Sequence, residues 1–184
     1  SPAIGITRFA AFSGLHRVLS FIPYIKKIAW ESIAPEYDPF KYNSFPKIAG
    51  HQLYQLTRLT QEKIDELQNN GKLERLPPIQ TFSSVVDSTV STPALVTYLY
   101  DRLKPNGHEL ILFDVNRFSA LAPFVKDRHD TFLNRLKETS NLPYTWTLVT
   151  NQTADTLRVV AETRDAGSDA ITQEPLNLEW PRGI

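Results

Sequence analysis

The chain has 184 residues, of which 41% are hydrophobic and 22% are charged, as is typical of a globular domain. Its 20 basic and 20 acidic side chains cancel to a formal net charge of zero, which argues against binding nucleic acid or a membrane surface through bulk charge. Cysteine is absent, which excludes disulfides, thiolate metal sites and cysteine nucleophiles.

Neither a targeting segment nor a membrane span is predicted. The basic start, apolar run and small-residue cleavage site of a signal peptide do not occur in that order. No apolar run approaches the roughly 18 residues that a membrane span needs. We expect a soluble chain that is either cytoplasmic or peripheral to a membrane, with the compartment undetermined. Methionine is absent and residue 1 is serine, so the chain is either a processed product or a piece of a longer protein, and whether 184 residues form the whole functional unit is open.

The N-terminal part is predicted to be one strand followed by a helical insertion. Residues 1–8 contain the apolar run PAIGIT and are interpreted as a core strand. Residues 9–76 are interpreted as a cap or lid. Within them the sequence predicts an amphipathic helix from Phe9 to Trp30, an ordered irregular loop over 35–46, and a second helix over 50–69.

From residue 77 onwards, predicted strands alternate with predicted helices. This alternation with short connections indicates right-handed crossovers and a parallel sheet covered by helices on both faces. The predicted fold class is therefore α/β, with a parallel sheet of about four strands including the first. The expected strands are residues 79–86, 109–115 and 144–150, and the expected helices are residues 95–103, 132–137 and 155–166.

Asp87 is the leading candidate for a catalytic side chain. It follows the predicted strand over residues 79–86, and open α/β sheets place catalytic groups at the carboxyl ends of their strands. A carboxylate there can orient an imidazole and stabilise its charged form. The alternative is structural, with the Asp87 side chain accepting backbone N–H groups near Thr89 and Val90.

Asp114 competes with Asp87 for the same role. It lies near the end of the predicted strand over residues 109–115, at the corresponding edge of the sheet. Asn116 and Arg117 follow it directly. We favour a structural interpretation in which Asp114 forms an ion pair with Arg117 at the end of the strand.

Other catalytic and binding motifs are absent from the sequence. It contains no G-x-S-x-G nucleophile elbow, no G-x-x-x-x-G-K-[ST] and no G-x-G-x-x-G phosphate-binding loop. No two histidines have metal-ligand spacing, so neither a metal site nor a cofactor is predicted. We interpret each of the histidines as a surface or structural residue: His16, His51, His108 and His129.

The run PPIQTFSSVVDSTVSTPALVTYLYDRLKPNGHELILFDVNR, residues 77–117, resembles the C-terminal half of α/β-hydrolases of the bacterial esterase and lysophospholipase type. In that family, a strand after proline delivers the triad acid in a short loop, and the next strand resembles ELILF. The segment SPAIGIT is similar to the family's strand after the nucleophile region. YDPFKYNSFP and GHQLYQLT are similar to its cap, and PLNLEWPRGI to the lead-in to its catalytic histidine.

The resemblance implies that residues 77–184 form the C-terminal half of a hydrolase core and that Asp87 is the triad acid. The family's triad follows the order Ser, Asp or Glu, His. The chain is therefore expected to lack the nucleophilic serine and the catalytic histidine, and to be inactive alone. Its expected substrate is a small-molecule ester or lipid. The cap is expected to supply an apolar substrate pocket, or else plain core packing, through Phe12, Phe21, Tyr24, Trp30, Phe40 and Phe45.

Two alternatives to an esterase portion are open at the level of sequence. The first is a non-catalytic, hydrolase-like interaction module that pairs an exposed sheet edge with a partner or with a second copy of the chain. The second is a shell that binds lipid or fatty acid through the aromatic cap. Under the leading hypothesis, the main partner is the remainder of the parent hydrolase. No nucleic-acid partner is expected.

Overall fold

A computed structural model describes residues 30–32, 45–87, 91–118 and 122–181. The predicted strand over residues 1–8 and the predicted helix up to residue 29 lie outside these ranges. The first described elements are β1 (Trp30–Ser32) and β2 (Phe45–Pro46), which pair antiparallel. The predicted helix and loop are therefore wrong at their last residues, because Trp30 and Phe45–Pro46 belong to strands that pair with each other.

The second predicted helix is confirmed as α1 (Lys47–Asn69), followed by a 3-10 turn at Leu73–Arg75. The helix ends where the sequence predicts, because Gly71 adopts a φ of 62°, a conformation that favours glycine. The N–H of Lys72 donates to the carbonyl of Leu67 at 2.8 Å, and the N–H of Gly71 donates to Gln68 at 3.1 Å. These two hydrogen bonds form a Schellman cap.

The leucines of α1 do not all lie on one buried side of the helix. Ile64 is buried and Leu67 packs against the core, whereas Leu56 and Leu59 are 61% and 58% exposed. A step of three residues turns an α-helix by about 300°, so leucines spaced by three drift around the axis. Among the apolar side chains of α1 that the structure describes, those in the hydrophobic core therefore lie in the C-terminal half of the helix.

The main sheet has five strands in the order β3-β4-β5-β6-β7. β3 pairs parallel with β4 and β4 pairs parallel with β5, whereas β5–β6 and β6–β7 are antiparallel. The fold is α/β in the general sense, but the expected parallel sheet of four strands is wrong, because the sheet is mixed. The strands are β3 (Gln80–Ser84), β4 (Glu109–Phe113), β5 (Thr145–Asn151), β6 (Arg158–Arg164) and β7 (Ile171–Glu179).

The change of direction comes from the segment that was predicted to be a helix over residues 155–166. This segment forms β6, in which Val159 and Val160 are buried. β-branched residues favour strands because their side chains pack well on a pleated surface. Gly167 lies in the loop between β6 and β7 with a φ of 74°. A glycine at this position fits a hairpin turn as well as the end of a helix, so it does not distinguish the two.

Two helices connect the parallel strands. α2 (Thr92–Tyr98) lies between β3 and β4 and continues into a 3-10 turn at Tyr100–Arg102. Its N-cap is Ser91, whose hydroxyl accepts the N–H of Ala94 at 3.3 Å. α3 (Ala122–Glu138) lies between β4 and β5. It is much longer than the six residues predicted from 132 to 137.

The described core lies on one face of the sheet. Its fully or nearly fully buried strand residues are Leu110, Leu112, Trp146 and Leu148, which belong to one cluster with the buried residues of α1, α2 and α3. On the opposite face, Phe82 and Phe113 are 55% and 41% exposed. Alternation along each strand sends neighbouring side chains to opposite faces, so the two faces differ in composition.

Four strands end at the same edge of the sheet. β3, β4 and β5 are mutually parallel and bring their carboxyl ends together. β6 runs back, and β7 is antiparallel to β6, so β7 ends at the edge where β5 ends. We call this the carboxyl edge.

Candidate functional site

Both candidate carboxylates lie at the carboxyl edge. The N–H of Val85 donates to the carbonyl of Phe113 at 2.9 Å, and the N–H of Asp114 donates to the carbonyl of Val149 at 2.9 Å. Backbone pairing thus continues one residue beyond β3 and β4. Because Val85 is only 2% exposed, it anchors the chain two residues before Asp87.

Asp87 closes a turn that begins at Ser84. Its N–H donates to the Ser84 carbonyl at 3.3 Å, and the N–H of Val86 donates to the Ser84 hydroxyl at 3.3 Å. The Asp87 side chain is partly buried. In the structural alternative, the Asp87 side chain accepts backbone N–H groups near Thr89 and Val90. Both of these residues lie outside the described ranges. β3 ends at Ser84, two residues earlier than the sequence predicts, so Asp87 lies three residues beyond the strand at the carboxyl edge.

Asp114 is held by a complete set of hydrogen bonds, and the predicted ion pair with Arg117 is confirmed. The Arg117 Nε donates to Oδ2 at 2.8 Å and Nη2 donates to Oδ1 at 3.0 Å. The hydroxyl of Thr150 donates to Oδ2 at 2.8 Å, and the N–H of Val115 donates to Oδ1 at 2.8 Å. A carboxylate offers about four acceptor positions, so Asp114 has none left for an imidazole.

Arg117 joins the end of β4 to α3. Its Nη1 donates to Asp130 of α3 at 2.6 Å, while its other nitrogens bind Asp114. Burial alone lowers the pKa of the Arg117 guanidinium, but the hydrogen bonds and charges of the two carboxylates outweigh it and raise the pKa above the ordinary value. Arg117 is therefore a permanent cation that links the end of β4 to α3.

Two asparagines complete the network. Asn151 at the end of β5 accepts the N–H of Arg117 at 2.7 Å through its Oδ1. Its Nδ2 donates to Asn116 Oδ1 at 3.1 Å and to the carbonyl of Thr156 at 2.8 Å. Asn116 and Asn151 are 8% and 6% exposed, so these amides are structural.

His108 lies at the opposite edge of the sheet from Asp87. It precedes β4 and accepts the N–H of Ile79 through Nδ1 at 3.0 Å. It is 2% exposed, which confirms the structural interpretation. Burial lowers its pKa, although a hydrogen bond with the Lys104 backbone opposes the shift. His108 is a neutral core histidine and is remote from the carboxyl edge.

The predicted aromatic pocket lies largely beyond the described residues. Phe12, Phe21, Tyr24 and Phe40 are outside the described ranges. The other two aromatic positions belong to the backbone of the small sheet, where Trp30 pairs with Pro46 and Ser32 pairs with Phe45. The structure thus brings the Trp30 and Phe45 segments side by side.

Sequence patterns did not single out Thr92, Thr150 or Asn151, although all three shape the carboxyl edge. Thr92 donates through Oγ1 to the Ser84 carbonyl at 2.7 Å, within the turn that ends at Asp87. The run Ser-Thr-Pro is typical of the start of a helix and could have indicated Thr92. Thr150 and Asn151 gave no signal, because their partners are 36 and 34 residues away.

Among the described residues, no group of three or more potential ligands could hold a metal ion. A pocket of about 440 Å³ lies beside β6 and β7, far from Asp87 in strand order, and Arg158, Pro175 and Asn177 help to line it. In the part of the chain that the structure describes, no helix has the length and apolar character needed to cross a membrane. No family model, curated protein or solved structure matches the chain.

Proposed function

We propose that this chain is the acid-bearing portion of a serine hydrolase that acts on carboxylic esters. The proposal joins the resemblance of residues 77–117 with the position of Asp87 at the carboxyl edge. In such an enzyme a serine attacks the acyl carbon and a histidine moves the protons. Both would come from outside the 184 residues. Asp87 would hold the imidazole in the working tautomer and stabilise its cation.

The position of Asp87 and the saturation of Asp114 together support this assignment. All acceptor positions of Asp114 are occupied by Arg117, Thr150 and its own turn, and its side chain is 3% exposed. Asp87 follows the neighbouring strand at the same edge, in a turn fixed to Ser84. We therefore assign the acid role to Asp87, on its position and on the resemblance of residues 77–117.

Substitution of Asp87 in the complete encoded protein tests the proposal. Asp87→Asn keeps the side-chain shape but cannot stabilise an imidazolium, so we expect kcat for a p-nitrophenyl ester to fall by about 10³-fold or more. The free energy of unfolding should change by less than about 0.5 kcal/mol, because the side chain is only partly buried.

Asp114→Asn is the matched comparison. It breaks a buried charged hydrogen-bond network and should lower the free energy of unfolding by about 2 kcal/mol. Unchanged turnover in the Asp87→Asn protein would remove the acid assignment. If Asp114→Asn abolished turnover while the protein stayed folded, the acid would be Asp114 instead.

The 184-residue chain alone is expected to have no esterase activity, because the proposed acid acts only through an imidazole that a serine also contacts. Purified chain should leave a p-nitrophenyl ester at the buffer rate. Turnover above that rate, abolished by Asp87→Asn in the same chain, would show that the nucleophile and base lie within the 184 residues.

A second candidate, the hydrolase-like interaction module, is favoured by β7. This nine-residue strand lies at an edge of the described sheet and is exposed along almost its whole length. However, Pro175 lacks an N–H, and the pairing is irregular next to Asn177, which has a φ of 54°. Such features discourage strand addition. Sedimentation of the chain as a stable dimer through β7 would support the module.

A further inference from the structure

We propose that Thr92 is the positioning residue for Asp87, an inference that rests on the proposed function. Thr92 is the first residue of α2 and is 1% exposed, eight positions after Ser84 in the chain. Its hydroxyl lies 2.7 Å from the Ser84 carbonyl and 2.9 Å from the Ser83 hydroxyl. A buried hydroxyl with two partners of this kind has a defined orientation.

The hydroxyl directions follow from counting protons. A threonine hydroxyl has one proton, and the Ser84 carbonyl can only accept, so the Thr92 proton is committed to Ser84. The Ser83–Thr92 hydrogen bond must then run the other way, with Ser83 donating. The result is a directed chain from the Ser83 hydroxyl to the Thr92 hydroxyl to the Ser84 carbonyl.

The end of this chain is the peptide group that receives Asp87. The Ser84 carbonyl accepts both the Thr92 hydroxyl at 2.7 Å and the Asp87 N–H at 3.3 Å. The carbonyl has two lone pairs, so one group can hold both. The shorter bond fixes the carbonyl, and the longer one transmits that position to the backbone of Asp87. Thr92 thus couples the start of α2 to the proposed acid without contacting a substrate.

Removal of the hydroxyl should loosen this turn. Thr92→Val has nearly the same shape but cannot donate, so the Ser84 carbonyl keeps only the weaker bond. Misplacement of a catalytic group by about 1 Å can cost up to 10²-fold in rate. In the complete protein we expect kcat to fall about tenfold with KM unchanged, and Thr92→Ser to restore kcat.

Thr81→Val is the matched control. Thr81 lies on β3 together with Ser83 and Ser84, is 5% exposed, and interacts with Tyr100 rather than with the turn. Its substitution removes a buried hydroxyl at a comparable cost in stability but should leave kcat unchanged. If Thr81→Val lowered kcat as much as Thr92→Val does, the loss would reflect general destabilisation, and the proposal would be overturned.

Two measurements separate this inference from the proposed function. In the 184-residue chain, amide hydrogen exchange at Asp87 should accelerate about tenfold in Thr92→Val and not in Thr92→Ser. In the complete protein, adding Thr92→Val to Asp87→Ala should cause no further loss of kcat, because Thr92 acts only through Asp87.

Each outcome decides one of the two ideas. Unchanged exchange at Asp87 overturns the positioning role whatever the activity. Accelerated exchange together with an Asp87→Ala protein of normal turnover supports the positioning role and overturns the proposed function. In a third outcome, exchange at Asp87 is accelerated and the Asp87→Ala protein is inactive, but kcat of Thr92→Val is normal. Catalysis would then tolerate the loosened turn, and the inference would also be overturned.

Discussion

At the scale of single residues, His108 makes the stability of the fold depend on pH. Its buried Nδ1 accepts the N–H of Ile79, and burial keeps its pKa below the ordinary value of a histidine. The folded protein therefore resists protonation that the unfolded chain accepts. The stabilisation is complete above the unfolded pKa of about 6.5 and is lost as the pH falls towards and through the folded pKa.

We expect the free energy of unfolding to fall between about pH 7.5 and pH 5.5, by no more than about 1.4 kcal/mol per pH unit from this group. His108→Asn places an oxygen acceptor near Nδ1 but does not titrate, so its pH dependence should be shallower. Urea unfolding of both proteins at about pH 7.5 and pH 5.5 measures the difference between their pH dependences. Equal slopes in the two proteins would show that His108 is not the titrating group.

Contacts were predicted from the sequence where they depend on neighbours in the chain. Asp114 pairs with Arg117 only three positions away, and this ion pair was predicted and is confirmed. The role of Asp87 stays a prediction. Contacts between distant residues were not predicted. Asn151 reaches Arg117 across 34 positions, and no pattern in the chain encodes that distance.

At the scale of elements, Arg164 fastens the β6–β7 hairpin to α3. The side chain is 2% exposed, and it donates to the Lys137 carbonyl at 3.0 Å and to the Ser168 carbonyl at 2.6 Å. It also binds Asp169. The first contact caps the C-terminus of α3, where a cation is favourable. The other two hold the turn.

Arg164→Met should lower the free energy of unfolding by about 3 kcal/mol, because two partly buried carbonyls lose a charged donor while the side-chain volume is kept. Arg158→Met is the control, since Arg158 is on the same strand but exposed, and should change the free energy by less than about 0.5 kcal/mol. Denaturant unfolding of both variants checks the pair. Similar losses would refute a special role for Arg164.

Element types were predicted well for α1, β3, β4 and β5, whose apolar patterns are strong and flanked by Gly or Pro. The failure at β6 has a physical cause. Two adjacent valines followed by a glycine fit either a helix stop or a hairpin, and the pairing of β6 with both neighbours decides between them. Because that decision depends on tertiary pairing, local pattern could not make it.

At the scale of the whole molecule, the sheet has two unequal faces. Leu112 on the inner face is fully buried, and Phe113 beside it in the chain is 41% exposed on the other. Leu112→Ala should therefore lower the free energy of unfolding by about 3 kcal/mol, and Phe113→Ala by less than about 1 kcal/mol. Urea titration of both variants measures the contrast. Equal losses would mean that the outer face is also packed.

The sequence predicted an α/β molecule but not its mixed sheet, because one misassigned element changes the direction of the strands after it. It predicted a strand shortly before Asp87, although β3 ends at Ser84 rather than at residue 86. The hydroxyl chain that holds the turn was not predictable. It depends on Ser83 and Thr92 meeting at 2.9 Å, which only the packing of α2 on β3 produces.

The direction of β7 determines how far the chain after β7 must extend to reach Asp87. β7 returns the chain to the carboxyl edge, but it lies four strand positions from β3. At about 4.8 Å per strand, Glu179 is separated from the end of β3 by roughly 19 Å. An extended chain covers about 3.3 Å per residue, so about six residues are needed to cross that distance. Any imidazole delivered from β7 to Asp87 must be carried by a segment that crosses the start of β6 and the ends of β5 and β4.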